Sequence, residues 1–349
     1  MTPSSVLPPL AAPAAAGFRM PGEFEPHAAT WLAWPGATTR SWADPDAVTR
    51  VVAALAHAIQ RFEPVRVVVD PAFDAEAARL LGPTVERVSM PVDDIWIRDT
   101  GPTILTGRHG ARAAAAWNFN VWGGKFPGHA ADRTLAARIA AHLGMSLHTA
   151  PFVTEGGALH VDGEGTVVVT ESALLAANRN AGVSRETVEA GLKAGLGATK
   201  VIWLPGERHD SITDGHVDGL MTFTRPGAAL FEVSDDPSHP LYRVLREQRR
   251  ALELATDARG RRLTVGVLSR PRNLAPASKD FCGIYVNCLI LNGAVLIPEF
   301  GDRIADDAAS EVFRRVFPGR TVVGLRIDAI AAGGGGIHCV SQQEPLAMA

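Results

Sequence analysis

Cysteine is scarce in this chain. Three of its 349 residues, Cys282, Cys288 and Cys339, carry a thiol. An odd, sparse count in a chain of this size argues against a disulfide framework and for a reducing compartment, so a cytoplasmic protein is expected. No pair of cysteines stands at metal-site spacing. Runs of Lys or Arg are missing too: 34 basic residues face 37 acidic ones, for a formal net charge of -3, which leaves no electrostatic footprint for nucleic acid. No apolar run reaches the roughly 18 residues of a membrane-spanning helix. The first 17 residues lack the basic start of a secretion signal, and Pro8, Pro9 and Pro13 interrupt their apolar run. Rich in Ala, Pro and Ser, residues 1–17 read as a disordered tail.

What is present suits a large α/β core: 46% of the residues are hydrophobic. Residues 44–62 predict a helix, with Asp44 as cap, Pro45 in the first position, and Val48, Val51, Val52, Leu55 and Ile59 on one face. A buried strand follows at 65–69. Further helices fit 74–81, 131–143, 185–195, 240–255 and 306–317. Between them lie hairpins: 158–161 turning through Asp162-Gly163 into 166–170, 216–223 turning through Arg225-Pro226-Gly227 into 228–231, and 284–291 turning through Asn292-Gly293 into 294–298. Asp-Gly and Asn-Gly tolerate the positive φ angles of tight hairpins. Polar residues flank these hairpins at intervals of about 50–70 residues, which suggests a repeat of helix plus hairpin. Five such units would fill the chain, and closing them into a ring would gather the hairpin ends at the centre. No linker divides residues 18–349, so one domain is expected.

The candidate chemistry sits at those hairpin ends. Cys339 follows Gly333-Gly334-Gly335-Gly336. Four consecutive glycines carry a large entropy cost and make sense where backbone must approach a ligand, which singles out Gly335 and Gly336 beside a candidate nucleophile. Cys339 is also explicable as a small core residue, the ordinary reading for Cys282 and Cys288. His216 and Asp218 stand two apart in what reads as a strand, so both point to one face; a hydrogen-bonded turn pair is the plainer account. Asp93, Asp94 and Asp99 crowd around Trp96 and Arg98, where carboxylates could hold a cation and Trp96 stack on a flat one; a solvated turn is the alternative. Residues 117–125 form an aromatic, glycine-containing loop with Trp122, Gly123, Gly124 and Lys125. Glu155 precedes two glycines and a strand. A thiol, an imidazole and three carboxylates at strand edges suit a planar cationic electrophile. A zinc site on His216, Asp218 and Cys339 explains the same residues less well.

Seven strings carry a family resemblance: MPGEFEPHAATWLAWP (20–35), DDIWIRDTGP (93–102), WNFNVWGGK (117–125), EGGALHVDGEGTVVVTE (155–171) with RN (179–180), TDGHVDG (213–219), YVNCLILNGAVLIPEFGD (285–302), and GGGGIHC followed by QQEP (333–345). In this order they resemble the agmatine deiminase family, also called the Porphyromonas-type peptidyl-arginine deiminase family. The resemblance implies the α/β propeller of the guanidine-modifying enzymes, with five ββαβ-type units around a pseudo-five-fold axis. It implies Cys339 as nucleophile, His216 as general acid and base, Asp99 and Asp218 as the grip on a guanidinium, and Glu155 as the partner of the histidine. It places Trp96 and the loop with Trp122, Gly123, Gly124 and Lys125 at the substrate. It further implies a small guanidine as partner, no metal or organic cofactor, and hydrolysis of the guanidinium to a urea and ammonia through a thiouronium on Cys339. Another guanidine in place of agmatine, amidino transfer to an amine, and a silent binding module remain open; so does association into a homodimer. Three segments depart from the family pattern: Gly219, residues 207–211 and residues 275–281.

Overall fold

The computed structural model describes residues 12–207, 210, 212–272, 274 and 280–347. Most of the expected tail, residues 1–11, lies outside these, as do most of residues 207–211 and 275–281. Within the remainder of the tail, Pro13–Ala16 form a 3-10 turn with Pro13 buried.

Among the described residues, five small mixed sheets are built to one plan. The first holds β1 (His27–Ala33), β2 (Val65–Val69) and β3 (Glu86–Ser89). The second is β4 (Thr103–Thr106), β5 (Arg112–Ala116) and β6 (Ser146–Thr149). The third is β7 (His160–Val161), β8 (Thr166–Thr170) and β9 (Lys200–Leu204). The fourth is β10 (Met221–Arg225), β11 (Ala228–Val233) and β12 (Thr264–Ser269). The fifth is β13 (Leu289–Leu291), β14 (Ala294–Glu299) and β15 (Thr321–Arg326). In the second to fifth sheets the first two strands pair antiparallel and the third, reached through a helix, adds parallel. The first sheet completes the same pattern with a strand from the other end of the chain: β16 (Ser341–Pro345) lies antiparallel to β1, from His27 opposite Pro345 to Leu32 opposite Ser341.

The crossover helices follow their apolar faces. In α1 (Pro45–Gln60), Val48, Val52, Leu55 and Ile59 are buried, and Asp44 caps the helix by accepting from the Ala47 N–H at 2.9 Å. The others are α2 (Asp74–Leu81), α3 (Leu135–His142), α4 (Arg185–Leu196), α5 (Tyr242–Leu254) and α6 (Arg303–Val316). Phe313 of α6 is fully buried and stacks on Phe317 with ring centroids 6.1 Å apart. Phe313→Ala is expected to destabilise the fold by about 3–5 kcal/mol, through lost transfer energy and the cavity left behind. Urea denaturation followed by circular dichroism measures it, and a loss under about 1 kcal/mol would mean the core closes over the gap.

Two strand readings need correction. Residues 216–223 are not one strand: Val217–Gly219 form a 3-10 turn, and β10 begins at Met221. The His216 N–H finds the Thr213 hydroxyl at 3.2 Å, and the Leu220 N–H finds the Val217 carbonyl at 3.0 Å, so local bonds replace a ladder. Nor are residues 284–288 in a strand. The N–H groups of Tyr285 and Val286 donate to the buried Glu232 carboxylate at 3.3 and 3.1 Å instead of to a neighbouring strand.

Candidate active site

Each sheet delivers polar side chains at the same point, just before its first strand. Asp99 lies in a single helical turn, Ile97–Thr100, ahead of β4. Glu155 precedes the turn Gly156–Ala158 ahead of β7. His216 and Asp218 flank and enter the turn ahead of β10. Asn287 lies in the bend ahead of β13, and Cys339 in the turn ahead of β16.

Those positions converge. Gly157 marks the meeting place: a Cβ there would come within 2.7 Å of His216 Nδ1 and 2.9 Å of both Asp218 Oδ2 and Asp99 Oδ1, so no side chain larger than hydrogen fits. The Gly157 N–H donates to Asp99 Oδ1 at 2.9 Å, and the Trp122 indole donates to Asp99 Oδ2 at 2.8 Å. His216 Nε2 contacts Glu155 Oε2 at 3.2 Å, while Nδ1 stands 3.8 Å from Asp99 Oδ1. Cys339 Sγ lies 3.6 Å from Asp218 Oδ2 and 3.2 Å from Asn287 Nδ2. Asn287 Oδ1 accepts from the N–H groups of His338 and Cys339 at 3.0 and 3.3 Å, which fixes the turn that carries the thiol.

Charge at this point is dense and buried. Burial alone would strip His216 of its proton, but Asp99, Glu155 and Asp218 outweigh it and raise the imidazole to about 9. Burial opposes the charge of Glu155, yet the hydrogen bond from His216 and the Arg179 guanidinium hold it below its ordinary value. Burial also works against Asp218, where His338, His216 and Arg98 keep the carboxylate below the usual range. Asp99 rises, because burial and the nearby Asp218 and Glu155 exceed the pull of His216. The Cys339 thiol is pushed well above its ordinary value by burial, with Asp218, Cys282 and Asp99 adding to the rise. These directions favour a neutral thiol beside an imidazolium.

A cavity of about 1030 Å³ reaches Asp99 and Cys339 of this cluster, while His216, Asp218 and Glu155 lie behind its lining. Trp96, Asp99, Trp122, Lys125, Gly335 and Cys339 line it, together with Trp42, which stacks on Trp96 at 5.6 Å. Gly335 must be glycine here, since a Cβ would strike the Trp96 ring at 2.3 Å. Gly123, Gly124 and Gly336 are not among the lining residues. The N–H groups of Gly123 and Gly124 bond to Asn120 and shape the turn that presents Trp122, whereas Gly336 packs against Asn287. Lys125 lines the cavity, but its ammonium is already bound to Asp214 at 2.7 Å and the Ile212 carbonyl at 2.9 Å.

Several supporting residues had no role in the sequence reading. Arg179 grips Glu155 through Nε at 2.9 Å and also bonds Asp214 and the Thr213 carbonyl, tying the Glu155 turn to the His216 turn. His338 and Glu23 stand behind Asp218. All but Asp214 are buried, and a buried charge needs a partner; the sequence signal for them was a charged residue inside an otherwise apolar or glycine-rich string. Among the described residues, ligand atoms of Glu23, His160 and His338 lie within 4.8 Å of one another. That cluster is already an ion network: both His338 nitrogens face carboxylates, and Arg98 Nη1 sits 3.2 Å from Glu23. His216, Asp218 and Cys339 do not bring their ligand atoms together in this way.

Known proteins resemble this chain over nearly its whole length. The model of the Porphyromonas-type peptidyl-arginine deiminase family matches residues 19–345. A Streptomyces avermitilis protein provisionally named agmatine deiminase is 43% identical over 346 residues, covering 96% of this chain and 99% of its own. The agmatine deiminase of Stutzerimonas stutzeri is 39% identical, covering 94% of this chain and 96% of its own. Among solved structures, the agmatine deiminase of Enterococcus faecalis superposes with a TM-score of 0.93 at 32% identity, over 97% of this chain and 99% of its own. With its motifs in order over nearly its full length, the chain belongs to the Porphyromonas-type peptidyl-arginine deiminase family.

Proposed function

We propose that this enzyme hydrolyses the guanidinium of agmatine, giving N-carbamoylputrescine and ammonia. The observation that carries this reading is the meeting of an imidazole and two carboxylates over Gly157, with the Cys339 thiol against Asp218, where Asp99 and Cys339 open onto an aromatic cavity. A guanidinium is planar and cationic, and Asp99 and Asp218 complement it as paired acceptors. Fixing it there turns a bimolecular attack into a positioned one.

The first proton step follows from the resting charges. The Cys339 thiol is held neutral partly by its anionic neighbours. A bound cation between Asp99 and Asp218 offsets those anions and favours the thiolate, the thiol proton passing to water in the cavity. The thiolate attacks the guanidinium carbon and forms a tetrahedral adduct. His216 holds Glu155 through Nε2, which leaves Nδ1 to donate a proton to the departing nitrogen. The carbon–nitrogen bond breaks, ammonia leaves, and a thiouronium remains on Cys339. Neutral His216 then takes a proton from water, the hydroxide adds to the same carbon, and the carbon–sulfur bond breaks as the adduct's hydroxyl proton passes to the departing sulfur, releasing the urea and restoring the thiol. Glu155, fixed by Arg179, keeps the ring in place throughout.

On this reading the five sheets are blades of a propeller around a pseudo-five-fold axis, in one catalytic domain from residue 18 onward. The repeated ββαβ plan supports it, as does the common origin of the site residues just before each first strand. A reducing compartment such as the cytoplasm suits a reaction that needs a free thiol.

Ammonia release from purified protein against agmatine, arginine, a peptidyl-arginine and methylguanidine tests the substrate. Release from agmatine alone is expected. Release from another member keeps the chemistry and replaces the substrate; silence across the panel overturns the reading. The pH profile gives a second check. His216 must enter the reaction protonated, and its proton is lost only near pH 9. Turnover should therefore fall as pH rises through about 9, and fall at the acid end as Asp99, raised by burial, takes up a proton. An alkaline fall centred near an ordinary histidine value of about 6.5 would contradict the assigned role.

A further inference from the structure

His338 precedes the nucleophile in the chain, yet it is buried and absent from the cavity lining. Its ring points the other way, into a row of charges. Nδ1 lies 2.8 Å from Asp218 Oδ2, and Nε2 lies 2.6 Å from Glu23 Oε1. Ionised carboxylates only accept hydrogen bonds, and a neutral imidazole offers one donor and one acceptor. A neutral ring would set a lone pair against a carboxylate oxygen at one of the two contacts. Both contacts are satisfied together when both nitrogens carry protons. Against its burial, Glu23 is held well below its ordinary value by His338 first and by Arg98, 3.2 Å away, second, so the spare proton of the contact sits on the ring and not on the carboxylate. His160 stacks on the ring at 5.7 Å with planes 13° apart; burial lowers it to about 4, so it adds no charge. Burial and the Arg98 charge oppose a proton on His338, and Glu23 and Asp218 outweigh them. The row thus alternates in sign: Arg98, Glu23, His338, Asp218.

Asp218 Oδ2, the atom that His338 holds, is also the atom 3.6 Å from Cys339 Sγ. The backbone of His338 is pinned as well, by Asn287 on its N–H and by Arg98 Nε on its carbonyl at 3.3 Å. Ring and backbone together tie the Asp218 carboxylate to the turn that carries the thiol. We propose that His338 is a positioning residue for deimination: an imidazolium clamped between Glu23 and Asp218, it keeps Asp218 ionised and aimed at Cys339 and the substrate guanidinium. The proposal rests on the guanidine-hydrolase reading for its substrate, but the state of the ring does not depend on it.

Nitrogen-15 spectra of the histidine-labelled, unliganded protein read that state directly. Above neutral pH, both ring nitrogens of His338 are expected to be protonated, assigned by their loss in His338→Asn. Glu23→Gln removes one of the two anions and should lower the pH at which the ring gives up its proton. A His338 ring with a single protonated nitrogen at neutral pH would overturn the proposal. Kinetics test the consequence. In His338→Asn the amide replaces Nδ1 and keeps a donor to Asp218 without the charge. The acid limb of kcat/KM should then move up by about 1–3 pH units as Asp218 joins Asp99 in titrating, while the alkaline limb set by His216 stays in place. An equal loss of rate at every pH would mean that His338 only fills space. If His338→Asn fails to fold, Glu23→Gln carries the test through the ring spectra. Absence of ammonia release by the wild type would sink the hydrolase reading, and the ring spectra would still decide the state of His338.

Discussion

Cys339→Ala is expected to fold, to bind a guanidinium, and to release no ammonia. In the proposed mechanism the sulfur is the one atom of the site that bonds to carbon, so its removal should lower turnover by about 10⁵-fold or more, as for other catalytic units that lose their nucleophile. The fold should hardly notice. The side chain is only partly buried, its main contacts are Asn287 and Asp218, and the turn is fixed through backbone N–H bonds that alanine retains. Binding should survive because Asp99 and Asp218 remain, and calorimetry with agmatine would measure it. Turnover retained in the variant would remove Cys339 from the mechanism. Loss of binding together with turnover, in a folded protein, would instead assign the sulfur to the grip on the substrate.

His216→Gln is expected to fail at a different stage. Glutamine can still reach Glu155, and Arg179 still neutralises that carboxylate, so the site should remain assembled. What disappears is a proton donor placed at the leaving nitrogen and a base placed at the attacking water. General acid–base catalysis contributes about 10²–10⁴-fold per role, so a loss of at least about 10³-fold is expected where one ring serves twice. The alkaline fall near pH 9 should vanish with the imidazole. If ammonia still departs slowly, the thiouronium has no base to clear it, and intact-protein mass spectrometry of quenched reactions should show the adduct on Cys339. A variant with near wild-type rates and an unchanged pH profile would show that another group moves the protons.

Hairpin dipeptides and ordered strings made the repeat legible in the sequence, and the helices fell close to where their apolar periodicity put them. The turns at the site were not legible. His216-Val217-Asp218 has the polar–apolar–polar alternation of a strand, and only the Thr213 hydroxyl, bonding back to the His216 N–H, makes it a 3-10 turn instead. Tyr285 and Val286 look equally strand-like, but a carboxylate from β11 claims their N–H groups. The Glu23–His338–Asp218 row was hidden for another reason. Its members come from opposite ends of the chain and from the fourth unit, and no local pattern reports a contact across that separation. The loop glycines had two readings in the sequence, since a glycine can serve a turn or a side chain packed against it as readily as a ligand.

The pairing of β16 with β1 has a further consequence for when the enzyme can become active. The thiol lies just upstream of the clasp that joins the two ends of the fold. A ribosome would have delivered every other reacting group long before this strand could dock. A nascent or proteolysed chain stopping short of Ser341 would keep Cys339 and still lack the strand that seats it. Cut short of this strand, the chain would leave the turn that carries Cys339 without the pairing that anchors its far end.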